Sequence, residues 1–173
     1  MDSFPVKSVD KRCESGKKEK EARVSIKKIL VPIDGSGYSM RAAMYAIEVS
    51  KLQKAQILVI HVISKFPSDY EYTIPSIAGS AIQTYIENKR SQVQLWFNEI
   101  IKIAKDENVS SIKTHIFVDA ESIADAILSY ATQNSIDLIV MGTKGRSSIA
   151  RFLLGSIANY VLQHAHCSII LIR

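Results

Sequence analysis

The stretch Ile29-Leu30-Val31-Pro32-Ile33-Asp34-Gly35-Ser36-Gly37 decides the fold class. Five apolar residues in succession, without polar alternation, suit a strand covered on both faces, as the strands of parallel sheets are. The acid, glycines and serine that close it form a turn. Ser39 then opens a helix to about Leu52, with Ala42, Ala43, Ala46, Ile47 and Val49 as its apolar side.

Working outward, the same kind of run returns at Ile57-Leu58-Val59-Ile60-His61-Val62-Ile63, at 136–141 and at Ser168-Ile169-Ile170-Leu171-Ile172. A run from Ile112 to Val118 is interrupted by Lys113 and His115 and reads as an edge strand. Helical periodicity fills the gaps. One long helix is expected from about Ser80 to Asp106, with Ile82, Ile86, Val93, Trp96, Phe97, Ile100, Ile101 and Ala104 inward. Others are expected at about 121–133 and at about Ser156 to His164. Residues 64–79, with Pro67, Pro75 and Gly79, read as a long mobile loop. Strict alternation of strands with helices means βαβ units, right-handed crossovers and a three-layer α/β/α sandwich around a five-stranded parallel sheet. Ligands in such sheets sit beyond the carboxyl ends of the strands.

The chain has 173 residues, 47% hydrophobic and 23% charged, which fits a single soluble domain and argues against wholesale disorder. No apolar stretch reaches the roughly 18 residues of a membrane span. The net charge of +5 is uneven. Nine Lys or Arg against five Asp or Glu fall in residues 1–28, so the remainder is almost neutral. A broad nucleic-acid face, which needs clustered positive charge, is thereby disfavoured. Residues 1–25 read as a flexible, solvated tail, and residues 26–173 as the domain. Two cysteines, Cys13 and Cys167, make no disulfide framework, and residues 1–28 hold no secretory apolar core. Both point to a cytoplasmic setting.

The chemistry is expected at two strand ends. The first offers Pro32, Ile33 and Asp34. The fourth offers Met141-Gly142-Thr143-Lys144-Gly145, and ten residues later Gly155-Ser156 opens the last helix. Gly142 and Gly145 let a loop turn its amides to one point. A helix N-terminus attracts phosphate through unsatisfied donors and its dipole. Lys144, Arg146 and Arg151 add positive charge. This reads as a phosphate site, although the same glycines would equally serve tight turns.

Competing motifs fail on particular residues. Gly35-x-Gly37-x-x-Met40 has methionine where a dinucleotide fold needs a small residue, and no acid ends the second strand. Gly142 to Ser148 lacks the Walker A spacing. Ser36-Gly37-Tyr38-Ser39 lacks the second glycine and the acid of an ATP-pyrophosphatase loop. Ser36 is not in a nucleophile elbow, and a capping role suits it. His164, His166 and Cys167 have no second pair of ligands, so a structural role is expected for them.

The spacing Gly142-x2-Gly145-x9-Gly155-Ser156 resembles the nucleotide motif of the universal stress protein family. Ile29 to Ser36 and His61-Val62 resemble that family's first two strands, so the likeness covers residues 26–173. The resemblance implies strand order 3-2-1-4-5, ATP held with Mg²⁺, and a homodimer through the last strand. It implies that Asp34 and the backbone of Val62 face adenine and ribose, with Pro32 and Ile33 in the same pocket. Met141, Gly142, Thr143 and Gly145 would follow the ribose and first phosphates, and Gly155, Ser156 and Ile157 the outer ones. The expected function is a nucleotide-dependent stress-response or signalling module. A dimeric scaffold of the same fold that binds no nucleotide but a protein partner, or a slow ATPase, is the alternative. Three departures from the family pattern stand out, one being the lysine-rich leader, which is additional to it. Asp119-Ala120-Glu121 replaces a Gly-x-Pro turn and would bring acid near the pocket. The run 164–168 lacks proline, which leaves the last strand's donors available for pairing.

Overall fold

A computed structural model describes residues 25–64, 78–145 and 154–173, without the side chains of 78–82 and 119. The expected tail, the loop between the second strand and the long helix, Arg146 and Arg151 lie outside the described residues. The order is β1 (Lys28–Pro32), α1 (Gly37–Gln53), β2 (Gln56–Ser64), α2 (Ala78–Asp106), β3 (Ile112–Ala120), α3 (Ile123–Gln133), β4 (Leu138–Gly142), α4 (Ser156–His164) and β5 (Ser168–Ile172). The sheet runs β3-β2-β1-β4-β5 with every pairing parallel. The expected fold and strand order are therefore those of the molecule.

The unbroken apolar runs have a simple cause. Alternate side chains of one strand enter different cores. Ile29 and Val31 join Ile57, Val59, Leu138 and Val140 under α1 and α2. Leu30 joins Leu58, Ile60, Ile139 and Met141 under α3 and α4. Burying each large aliphatic side chain contributes about 1.5–3 kcal/mol, so neither face tolerates a polar residue. Helix α1 lies close because it presents Ala42, Ala43 and Ala46. In α2 the fully packed residues are Val93, Phe97, Ile100 and Ala104, while Ile101 is half-buried and Ile103 takes a place against the core.

Helix α1 starts one turn earlier than expected. Ser36, not Ser39, is its N-cap, and the Ser36 hydroxyl accepts from the Ser39 amide at 3.2 Å. Ser39 is instead buried and donates its hydroxyl back to the Ser36 carbonyl at 3.0 Å. At the amino ends of the strands, Asp137 Oδ2 accepts from the amides of Lys27 and Lys28 at 2.8 and 2.9 Å. That carboxylate fastens the start of β1 to the start of β4. Among the described residues no helix is long and apolar enough to cross a membrane.

Candidate functional site

Strand β1 is central, and its neighbours β2 and β4 lead to opposite halves of the sheet. A crevice therefore opens beyond its carboxyl end, where chain connections diverge. The cavity there has a volume of about 570 Å³, within the roughly 300–1,000 Å³ usual for small-molecule sites.

The turn after β1 supplies its acid. Asp34 Oδ1 accepts from the Ser36 amide at 3.0 Å. Gly35 takes φ +76°, a left-handed conformation that glycine adopts at little cost. The other carboxylate oxygen, Oδ2, lies against Gly145, where an added methyl would stand 2.8 Å from it. The two turns thus face each other, as the sequence suggests, with Asp34 on the cavity wall.

Ten of the eleven residues expected at the site line this one cavity: Pro32, Ile33, Asp34, Val62, Met141, Gly142, Gly145, Gly155, Ser156 and Ile157. Thr143 does not. Its amide donates to the Ile172 carbonyl and its carbonyl accepts from the Gly155 amide, both at 2.8 Å. These bonds turn the residue toward β5, and its hydroxyl oxygen is buried without a hydrogen-bond partner among the described residues. The Gly155 amide, expected to be open to a ligand, is spent on that bond. The donors left at α4 are those of its first turn, Ser156, Ile157 and Ala158, which have no acceptor within the helix. All three residues line the cavity.

Gly142 has a different reason to be glycine than the one expected. A methyl there would fall 2.8 Å from Tyr38 Cβ, 2.9 Å from the Tyr38 carbonyl carbon and 3.0 Å from the Ser39 nitrogen. It lets the first turn of α1 sit on the end of β4. Lys144, expected to add positive charge to the phosphate site, lines the cavity too, and the lining also includes residues that motif reading does not mark as site residues: Ile60, His61, Leu154, and Ile123 and Ile127 of α3. The i, i+4 spacing of the α3 pair is the only signal they carry, and it is shared with any core face. Glu121 is exposed and lies outside the lining, so the acid expected beside the pocket is not supplied by it. The Asp119 side chain lies outside the described residues.

The arrangement suits a ligand with an apolar planar part and an anionic part. Ile33, Ile60, Val62, Ile123, Ile127 and Met141 supply apolar wall, and the α4 first turn and Lys144 supply donors. Among the described residues no three His, Cys, Asp or Glu side chains stand together to hold a metal. A divalent ion entering with a polyphosphate would take its ligands from phosphate and water, as Mg²⁺ does at many nucleotide sites.

Comparison with known proteins agrees with the geometry. The sequence model of the universal stress protein family matches residues 25–173. A universal stress protein of Methanocaldococcus jannaschii is 31% identical over 147 residues, covering 85% of this chain and 82% of the relative. The solved UspA of Lactobacillus plantarum has a TM-score of 0.75 at 26% identity, over 86% of this chain and 98% of that one. A universal stress protein from Archaeoglobus fulgidus, solved in complex with dAMP, shares the fold with a TM-score of 0.56 at 21% identity, over 87% and 99% of the chains. Sequence, sheet order and cavity coincide over the same residues: this chain belongs to the universal stress protein family.

Proposed function

We propose that the chain binds an adenine nucleotide, ATP with Mg²⁺, and acts as a nucleotide-dependent stress-response or signalling module in the cytoplasm. One observation carries this reading. A single cavity at the diverging strand ends joins an apolar wall, the Asp34 carboxylate and the first-turn amides of α4. The apolar wall would take the base, whose transfer out of water it favours. Asp34 repels phosphate and accepts from hydroxyls, so it would meet the sugar. The α4 amides and Lys144 would meet the phosphates, the amides through their unsatisfied donors and the helix dipole. That a protein of the same fold has been solved with dAMP supports the nucleotide class. ATP rather than a monophosphate is our reading of the room and the donors at α4.

The module would work as a homodimer through β5. Among the described residues that strand pairs only with β4, and Ile169, Ile170, Leu171 and Ile172 are all half-buried. A bare edge carrying apolar side chains on both faces invites a second strand.

The test is direct. Purified protein is denatured and any released nucleotide identified, and MgATP binding and turnover are then measured by calorimetry and phosphate release. Binding in the micromolar range that is lost in Asp34→Ala supports the reading. No heat at millimolar MgATP from protein stripped of nucleotide sinks it. Sustained turnover would make the chain an enzyme rather than a binding module.

A further inference from the structure

Helix α2 delivers a side chain to the back of the site that the nucleotide reading does not use. Val93, Phe97, Ile100 and Ala104 face the sheet and are fully buried. Trp96 precedes Phe97 and so is turned about 100° from it around the helix axis. It is partly buried against the same core, and its indole lies over Gly35. A methyl on Gly35 would stand 2.5 Å from Trp96 Cη2 and closer still to Cζ2 and Cε2. Nothing larger than hydrogen fits between ring and chain. The same ring meets His61 edge-on, with centroids 5.6 Å apart and planes at 72°. His61 Nδ1 in turn donates to the Ile33 carbonyl at 2.7 Å. The indole therefore holds the chain on both sides of Asp34, directly at Gly35 and through His61 at Ile33.

We infer that Trp96 is a positioning residue that clamps the Asp34–Gly35 turn so that the carboxylate faces Gly145 across the cavity. Glycine visits both signs of φ readily, so Gly35 alone does not hold φ +76°. The ring fills the space that the alternative conformations need. The Ser36 amide bond to Asp34 Oδ1 forms within this turn and reports its closure. A turn already closed spares the ligand the cost of ordering it. The effect on affinity rests on the nucleotide reading; the clamp itself does not.

The test compares wild type, Trp96→Phe and Trp96→Leu, each first shown by circular dichroism to unfold cooperatively in urea. Amide exchange of Ser36 is followed by NMR without ligand, and MgATP affinity by calorimetry. If loss of the indole leaves a tenth of the turns closed, MgATP affinity falls about tenfold, because it follows the closed fraction, and Ser36 exchange, which follows the open fraction, rises to nearly the rate of an unprotected amide. Trp96→Phe should give an intermediate value for both. Unchanged Ser36 exchange in folded Trp96→Leu overturns the inference, and exchange at nearly the unprotected rate with unchanged MgATP affinity overturns the link from the turn to binding. Should wild type bind no MgATP, the nucleotide reading fails, and Ser36 exchange alone decides the clamp.

Discussion

Gly142 and Gly145 belong to one sequence motif, yet the structure assigns them separate costs. An alanine methyl at 142 meets Tyr38 Cβ at 2.8 Å, the Tyr38 carbonyl carbon at 2.9 Å and the Ser39 nitrogen at 3.0 Å. Two of those atoms are backbone in the first turn of α1, so relief requires moving the helix. Overpacking of this kind costs about 1–3 kcal/mol, which for a domain of this size lowers Tm by about 2–12 °C. Among the described residues an alanine methyl at 145 meets only Asp34, with Oδ2 at 2.8 Å and Cγ at 3.9 Å. A carboxylate end can rotate away, so stability should change by less than about 0.5 kcal/mol. The rotation removes a charged acceptor from its place, an interaction of about 1.5–3 kcal/mol, and so raises the Kd for MgATP by about tenfold to a hundredfold. Differential scanning calorimetry and titration calorimetry on both variants separate the two effects. Equal losses of Tm, or lost binding in Gly142→Ala at unchanged Tm, would refute the division.

Asp137→Ala removes the acceptor for the Lys27 and Lys28 amides, and urea unfolding should show a loss of about 1.5–3 kcal/mol; a change under a third of the lower figure contradicts the tie. Burial pushes the Cys167 thiol and the Tyr130 phenol up, and Asp125 beside Tyr160 pushes that phenol up as well. Each raised value means that the folded chain holds its proton longer. The urea midpoint should therefore stay level to about pH 8.5 and fall as pH rises through the ordinary thiol and phenol values toward pH 11; a midpoint that rises there reverses the sign. Light scattering on the full chain should give twice the chain mass, and a monomer mass up to high micromolar concentration removes the β5 dimer.

The strands were legible because each must satisfy two cores at once, which writes an unbroken apolar run such as Ile29 to Ile33. The glycine spacing was legible because a turn and a helix start have local requirements. What lay out of reach depends on contacts between elements. Ser36 and Ser39 are equally good caps by type, and only the height at which α1 meets β4 chooses between them. Trp96 falls on the apolar side of its helix, and periodicity reads it as core. It meets Gly35 and His61 because of how α2 lies across the sheet, which no spacing encodes. Ile123 and Ile127 become cavity wall for the same reason. The Gly155 amide is consumed by a carbonyl twelve residues earlier, a bond set by the path between β4 and α4.

Thr143 shows where a motif and its geometry part. The family likeness puts this residue along the ligand, while its backbone bonds join the end of β5 to the cap of α4. Its hydroxyl oxygen is buried with no partner among the described residues. An unpaired buried hydroxyl costs stability, whereas an apolar group of the same shape does not. Thr143→Val keeps both backbone bonds and the side-chain shape. It should leave the urea midpoint unchanged or raise stability by about 1 kcal/mol, and it should leave the Kd for MgATP as in wild type. A stable Thr143→Val protein that binds MgATP tenfold more weakly would mean that the hydroxyl touches the nucleotide. The residue would then belong to the cavity, and the joint between α4 and β5 would move when the site fills.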